Sequence, residues 1–480
     1  MKFIQILEEP IPPGGLVEWT PYVPGGLGAW DYDSRLTSHN HEQHLRSAFA
    51  YRVRTRREGG RESWLGLAIE FDEPLSIPAL RSTLMSWIDR HEVLRSHVVI
   101  KGSGLQRLTT APGTVKLKMG RIGWYNASGP MMEQIAGSFD RATAPLAWPA
   151  YLFATVGRES TFTLLFAADH SLVDGYSLIM AQHELTTLYR AARAHADDGL
   201  ADVGSYVDFS AQERRLADQT GADHPAVVTW SAFLRGGDMP ALLGGSTTAL
   251  TPADRRTPDP EPPDPATSPP QQSLSGMVLD DDAANRFTAV CSEAGGTLTA
   301  GVLAAFAIVH HRLTGAPEFR CVLPRHTRDD ARWLTALGWF VALAPFALDM
   351  ADSPTFDQAV GRATAELKRA RQGASLPFLR IAELLGYRGE PRFVISFIDT
   401  RYAPGAAAAD AGHATVLRSH SYARDEVFIW INRTPSGMRY SARFPAEDDA
   451  AGDTPVHRYL DAFTDFVREV GDASTFNVRM

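Results

Sequence analysis

The sequence predicts an α+β protein made of two lobes. Three observations point there. Apolar runs of strand length come in close pairs joined by short turns: "YLFATV" (151–156) and "TFTLLFAAD" (161–169) flank a charged "GRES" and read as an antiparallel hairpin. Longer stretches place apolar residues at helical spacing. A proline-dense block, "TPADRRTPDPEPPDPATSPP" (251–270), carries eight prolines and no large apolar residue, so it forms no core element and divides two halves of similar content.

Taken in order, residues 1–30 are rich in Pro and Gly and read as an extended lead-in. A helical pattern runs from 38 to about 52, and "LGLAIEF" (65–71) is a strand. Leu80, Leu84, Trp87, Ile88 and Leu94 then recur at helical spacing, with Pro78 where a first-turn proline is tolerated. Residues 98–100 return to strand character, the hairpin of 151–169 follows, and 176–193 reads as an amphipathic helix. Beyond the proline block come "SLSGMVLD" as a strand and helices over 282–294 and 297–312. The strands "EFRCVLP" and "PRFVISFID" lead to a hairpin in "EVFIWINRTPSGMRYSARF" around Pro435-Ser436-Gly437. No internal repeat is visible.

Composition narrows the functional classes. The 480 residues are 44% hydrophobic and 21% charged, ordinary globular usage with enough apolar mass for more than one core. The net charge of −9 supplies no overall basic footprint for nucleic acid or anionic membrane. Cys291 and Cys321 are the two cysteines; they make no disulfide framework and fit no metal spacing, which suits a reducing cytosol. The N-terminal "MKFIQILEEP" lacks the apolar run of a signal peptide. The uncharged stretch 294–311 holds three glycines and ends in two histidines, so it reads as a buried helix rather than a membrane span. The expectation is a cytoplasmic protein.

The stretch with chemistry in it is "FAADHSLVDGYSLIM" (166–180). A strand ends in Asp169-His170, and Asp174-Gly175 opens a helix four residues on. A histidine at such a joint projects its ring beyond the sheet edge. Gly175 eases the exit from strand to helix, and Asp174 can accept hydrogen bonds that stiffen the turn. Stiffness suits a general base, because proton abstraction needs an approach near ~3 Å with a fixed ring direction. Imidazole, with an ordinary pKa near ~6.5, also keeps a proton-accepting form at cytosolic pH. A lone histidine after an apolar strand is more often a packed residue, so the surrounding segments decide.

Those segments resemble one superfamily throughout. His170 to Gly175 resembles the H-H-x-x-x-D-G motif of the condensation-domain, chloramphenicol-acetyltransferase-like acyltransferases, which include nonribosomal-peptide condensation domains and polyketide-associated acyltransferases. "RHEVLRSHV" (90–98), "SFDRATAPLAWPAYLF" (138–153) and "SYVDFSAQERR" (205–215) are similar to family segments in the same order. So are "GGTLTAGVLAAFAIVHHRLTG" (295–315), "LPRHTRDDARWLTALGWFVAL" (323–343) and "RFVISFID" (392–399). The likeness runs from about 38 to 466. The lead-in "PPGGLVEWTP" also looks like the polyketide-associated branch.

The resemblance implies two chloramphenicol-acetyltransferase-like lobes in a V-shaped pseudo-dimer: 1–198 with the motif, and 199–480 with the proline-rich loop at about 247–272. An active-site tunnel would lie between them. It implies a free-standing acyltransferase of specialised-metabolite or lipid biosynthesis, with no metal and no permanently bound cofactor. The donor is a thioester on coenzyme A or a phosphopantetheinyl carrier protein, and the acceptor a small-molecule alcohol or amine. His170 would deprotonate or position the acceptor. Asp174 would be a structural aspartate held by an arginine of the other lobe: Arg328 by its ten-residue spacing to Gly338, with Arg325 as fallback. Gly175 would offer its backbone N–H near the developing oxyanion. Alternatives on the same fold are a catalytically inactive scaffold that recruits a carrier protein or tailoring enzyme, and a cyclase or epimerase.

Two positions depart from the family pattern. Asp169 stands where the motif has its first histidine, and a carboxylate facing His170 would raise the pKa of that ring. Ala342 stands where many members have asparagine. Other strings carry less. His39, His41 and His44 have H-x-H-x-x-H spacing but read as solvated surface, without an acidic partner at matched spacing. His310-His311 reads as a capping or packing pair, and "LLGGSTTAL" (242–250) as a loop.

Overall fold

A computed structural model describes residues 2–56, 63–102, 104–235, 239–242, 269–412, 414–423, 425–446 and 454–477. Most of the proline-rich loop expected at 247–272, and most of 242–250, lie outside the described residues. The chain divides into two compact units, and not at one cut. The first comprises Met1–Gln219, Thr327–Phe340 and Tyr402–Ser421; the second comprises Thr220–His326, Val341–Arg401 and Tyr422–Met480. The sequence reading placed a single boundary between 198 and 199. Two short later segments instead return to the first unit.

Both units are α+β, as the alternation of patterns predicts. The first holds a seven-stranded sheet in the order Lys2–Gln5, Thr415–Arg418, Trp64–Phe71, Phe162–Asp169, Tyr151–Gly157, Gly15–Tyr22, Lys116–Trp124. The lead-in is therefore part of the sheet: Lys2–Gln5 pairs in parallel with Thr415–Arg418, and Gly15–Tyr22 pairs with two strands. Tyr151–Gly157 and Phe162–Asp169 form the antiparallel hairpin read from the pattern. Every residue of Phe162–Asp169 is buried, because helices cover both faces of the sheet. Helix Ser128–Ala142 puts Met131, Met132, Ile135 and Phe139 against Leu152, Ala154, Val156, Leu165 and Ala167 on one face. On the other, helices Ile77–Arg90 and Gly175–Ala194 pack together, with Trp87 against Phe153 and Phe166, and Tyr189 against Phe71 and Phe162. A strand buried on both sides needs a continuous apolar run rather than alternation, which is what "TFTLLFAA" supplies.

The second unit holds a mixed six-stranded sheet in the order Gln272–Asp280, Gly437–Phe444, Val427–Thr434, Phe393–Asp399, Glu318–His326, Val341–Asp349. Its core helix, Leu298–Thr314, is capped by Thr297 and ends at Gly315, whose φ of 70° suits a residue without a Cβ. The helix is apolar on all sides because sheet and helices surround it: Phe306 stacks on Phe463 at 3.9 Å in the same core. No single described helix is long and apolar enough to cross a membrane.

Helices Asp281–Glu293 and Leu298–Thr314 approach closely at Gly301, where a Cβ would fall 2.0 Å from the Cys291 sulfur. Gly301→Ala is therefore expected to cost about 1–3 kcal/mol by overpacking, against the propensity gain alanine brings to a helix. Urea unfolding measures this, and the cost should shrink in a Cys291→Ala background.

Candidate active site

His170 is the first residue after strand Phe162–Asp169, and its backbone is pinned on both sides. Asp169 N–H donates to the Ala150 carbonyl at 2.9 Å and His170 N–H to that of Ser63 at 3.1 Å; Leu172 N–H closes the turn onto the Asp169 carbonyl at 2.9 Å. Leu172 and Val173 are buried and anchor the turn. The ring lies against Trp339, centroids 4.6 Å apart and planes tilted by 38°. Its Nδ1 is enclosed and makes no hydrogen bond to another residue, while the residue as a whole is partly exposed. Nε2 is thus the nitrogen left to meet a substrate. Burial pushes the imidazole pKa below its ordinary 6.5; its own backbone carbonyl works the other way, His44 adds to the lowering, and Asp169 and Asp174 oppose it more weakly. The neutral, proton-accepting ring is favoured.

Asp174 caps helix Gly175–Ala194, its Oδ1 accepting from Ser177 N–H at 2.7 Å. Arg328 donates to it in a fork, Nη1 to Oδ2 at 2.8 Å and Nη2 to Oδ1 at 3.1 Å, and Phe340 N–H adds a bond to Oδ2 at 3.0 Å. Both side chains of the ion pair are buried. Burial alone would raise the carboxyl pKa, but the guanidinium charge and these hydrogen bonds outweigh it and hold it below the usual range. With four donors on two oxygens, Asp174 is committed to bracing. The arginine comes from far along the chain, yet segment Thr327–Phe340 belongs to the same unit as Asp174, which corrects the expectation of a partner from the other lobe. Arg325 lies in the second unit. Ser177 completes the clamp, its Oγ donating to the Gly338 carbonyl at 2.9 Å and accepting from Arg328 Nη2 at 2.9 Å. Leu337 N–H reaches Nδ1 of His91 at 3.4 Å. These bonds present Trp339 to His170. Gly175 is the first residue of the motif helix, so its N–H has no intrahelical acceptor.

The same helix carries Glu184, bound by Trp87 Nε1 at 2.9 Å, Arg90 Nε at 2.8 Å and His91 Nε2 at 2.6 Å. Its burial is outweighed by His91 and Arg90, and its pKa falls to about 2. This explains "RHEVLR": Arg90 and His91 dock the end of helix Ile77–Arg90 onto the motif helix.

Asp169 makes no hydrogen bond to His170. Fully buried, it accepts from His44 Nε2 at 2.9 Å and Ser63 Oγ at 3.3 Å through Oδ2, and from Ser171 N–H at 3.0 Å through Oδ1. Burial raises its pKa, but His44 and these bonds prevail and lower it. The feared upward push on His170 is therefore not the net effect. The histidine trio also parts company. His39 pairs with Asp218 at 2.9 Å, His41 is buried with its pKa pressed down to about 3 by desolvation, and His44 reaches Asp169. The solvated-surface expectation is corrected, because all three side chains are largely enclosed; the carboxylates of His39 and His44 come from 179 and 125 residues away, so no local spacing matches them. His44 and Trp339 went unassigned; the only trace of them in the sequence is a histidine at a helix start and an aromatic beside Gly338.

A family model described as "Condensation domain" matches residues 58–398. The chain belongs to the condensation-domain family. Acyltransferase PapA3 of Mycobacterium tuberculosis is 25% identical over 411 residues, 83% of this chain and 81% of that protein. Trehalose-2-sulfate acyltransferase PapA2 of the same species is 25% identical over 343 residues, 69% and 68% of the two chains. Among solved structures, PapA2 acyl transferase superposes with a TM-score of 0.82 at 21% identity, covering 98% of this chain and all of that one. The first condensation domain of the calcium-dependent antibiotic synthetase gives 0.67 at 16%, covering 91% and 96%. The superpositions establish the condensation-domain fold, and with the named relatives this condensation-family chain is an acyltransferase.

Removing Arg328 leaves Asp174 buried and unpaired, so Arg328→Ala should cost about 3–5 kcal/mol. Breaking the exposed Arg332–Asp330 pair in the same segment should cost under ~1 kcal/mol; urea unfolding compares them. Acid supplies a second check. Asp169, Asp174 and Glu184 have folded-state pKa values below their unfolded ones, so the unfolded chain takes up protons first. Their stabilisation is complete above about pH 5 and is lost as pH falls through about 4 toward 2, readable as a falling urea midpoint over that range.

Proposed function

We propose that this chain transfers an acyl group from a coenzyme A or carrier-protein thioester to a hydroxyl of a small-molecule acceptor in lipid or specialised-metabolite assembly. A sugar hydroxyl is the acceptor class favoured by the name of the trehalose-2-sulfate acyltransferase relative. The observation that carries the reading is His170: a braced imidazole with Nδ1 enclosed and unpartnered by any other residue, in a partly exposed side chain held toward its neutral form by burial.

The chemistry follows from that ring. Acceptor oxygen attacks the thioester carbonyl carbon while its proton passes to Nε2 of His170. The C–S bond then breaks, and the same nitrogen returns the proton to the departing sulfur, releasing a thiol. The Gly175 N–H, at the positive end of a 20-residue helix, would donate to the oxyanion between these steps. Most of the acceleration would come from holding acceptor and thioester together. Asp174 and Arg328 contribute by keeping the turn rigid.

The test is transfer from a panel of acyl-CoA and acyl-carrier thioesters to a panel of sugars, alcohols and amines, followed by product mass. His170→Ala should lose about 10²–10⁴-fold in kcat/KM with an unchanged unfolding curve; near-wild-type transfer would overturn the assignment. Burial lowers the ring's pKa, so the acid limb of kcat/KM against pH should lie below 6.5, and activity should persist into mildly acidic solution.

A further inference from the structure

Beside His170 the structure places a second imidazole that the mechanism does not use. His44 comes from helix His39–Thr55, which starts at the Ser38 cap. Its Nε2 is 2.9 Å from Asp169 Oδ2; the carboxylate is fully enclosed and the His44 side chain 18% exposed. Trp339 joins the two rings. Its indole meets His44 edge-on at 6.0 Å and 87°, and lies over His170 at 4.6 Å. Asp169 is covalently adjacent to His170, yet its oxygens turn away to His44, Ser63 and Ser171.

We propose that His44 is a positioning residue for His170: by binding the Asp169 carboxylate it turns that charge away from the base and keeps the base ready to accept a proton. The inference rests on the reading of His170 as the base. Among the described residues, three charged or titratable groups act most on the ring. Asp169 and Asp174 come from its own turn, the second quenched by Arg328 of segment Thr327–Phe340, and His44 comes from the first long helix. Around His44 stand Asp169 and the buried His41. Asp174 is held by Arg328, so Asp169 is the carboxylate whose direction relative to His170 depends on His44. An opposite charge within ~4–6 Å stabilises imidazolium by about one pK unit or more. Losing His44 would therefore raise the pH at which His170 becomes free to accept a proton.

Histidine ring NMR titration of the full chain, labelled at Cε1, reads this without turnover. The His170 resonance is identified by its loss in His170→Ala. In His44→Ala its titration midpoint should rise by about one unit. The acid limb of kcat/KM should move up equally, with transfer recovering toward the wild-type plateau at high pH. The His44→Ala/Asp169→Asn double variant should bring the midpoint back, and His44→Gln, which keeps an N–H donor, should lie between. An unmoved midpoint in His44→Ala overturns the proposal, as does a loss of transfer that no pH restores. If His170→Ala itself stays active, the base reading has failed, and the NMR midpoints still decide whether His44 governs the ring.

Discussion

A carboxylate taken out of water costs several kcal/mol unless a cation and hydrogen-bond donors meet it, and the motif strand, turn and helix carry three of them. Asp169 ends the strand, Asp174 caps the helix and Glu184 lies along it, each no more than 2% exposed. Each is satisfied from a different part of the chain: His44 on the first long helix, Arg328 on segment Thr327–Phe340, Arg90 and His91 at the end of helix Ile77–Arg90. Sixteen consecutive residues, 169–184, thereby fix three remote pieces of the first unit. The clamp that brings in Arg328 also brings Trp339, so one set of ion pairs builds both the frame and the wall beside the histidine.

That frame explains why so little else is asked of the ring. Thioester transfer, the reaction proposed above, would need two reactants aligned and one proton moved and returned. Asp169 N–H bound to Ala150 and His170 N–H bound to Ser63 fix the backbone under the ring, and Trp339 lies against it. With Nδ1 enclosed, the proposed reaction has one ring nitrogen, Nε2, to use as acceptor.

Elements built on local pattern were legible in the sequence. The hairpin 151–169, the motif helix and the buried helix Leu298–Thr314 have periodicity or apolar runs that no other structure would explain. Arg328 was legible only through the family resemblance, whose pattern sets an arginine ten residues before the glycine that Gly338 matches. The exchange of 327–340 and 402–421 into the first unit was not, because it depends on strand pairing such as Thr415–Arg418 with Trp64–Phe71 and on buried ion pairs, none of which leaves a local signature. His44 was hidden for a related reason. In "SHNHEQHLRS" it sits among polar neighbours typical of a solvated helix start, and only the folded chain supplies the carboxylate that recruits it.

The placement of His44 depends in turn on the helix Tyr206–Asp218. An opposite charge within ~4–6 Å moves an imidazole pKa by about one unit or more. A carboxylate at position 169 therefore demands a donor held with precision. Ser38 N–H donates to Ser210 Oγ at 2.7 Å, His39 pairs with Asp218, and Arg214 binds Glu42. Three contacts in the first turn of helix His39–Thr55 thus lock it to Tyr206–Asp218, and His44 follows one turn later. In the proposed mechanism "SYVDFSAQERR" would contribute at one remove: it holds the helix that carries the imidazole bound to Asp169.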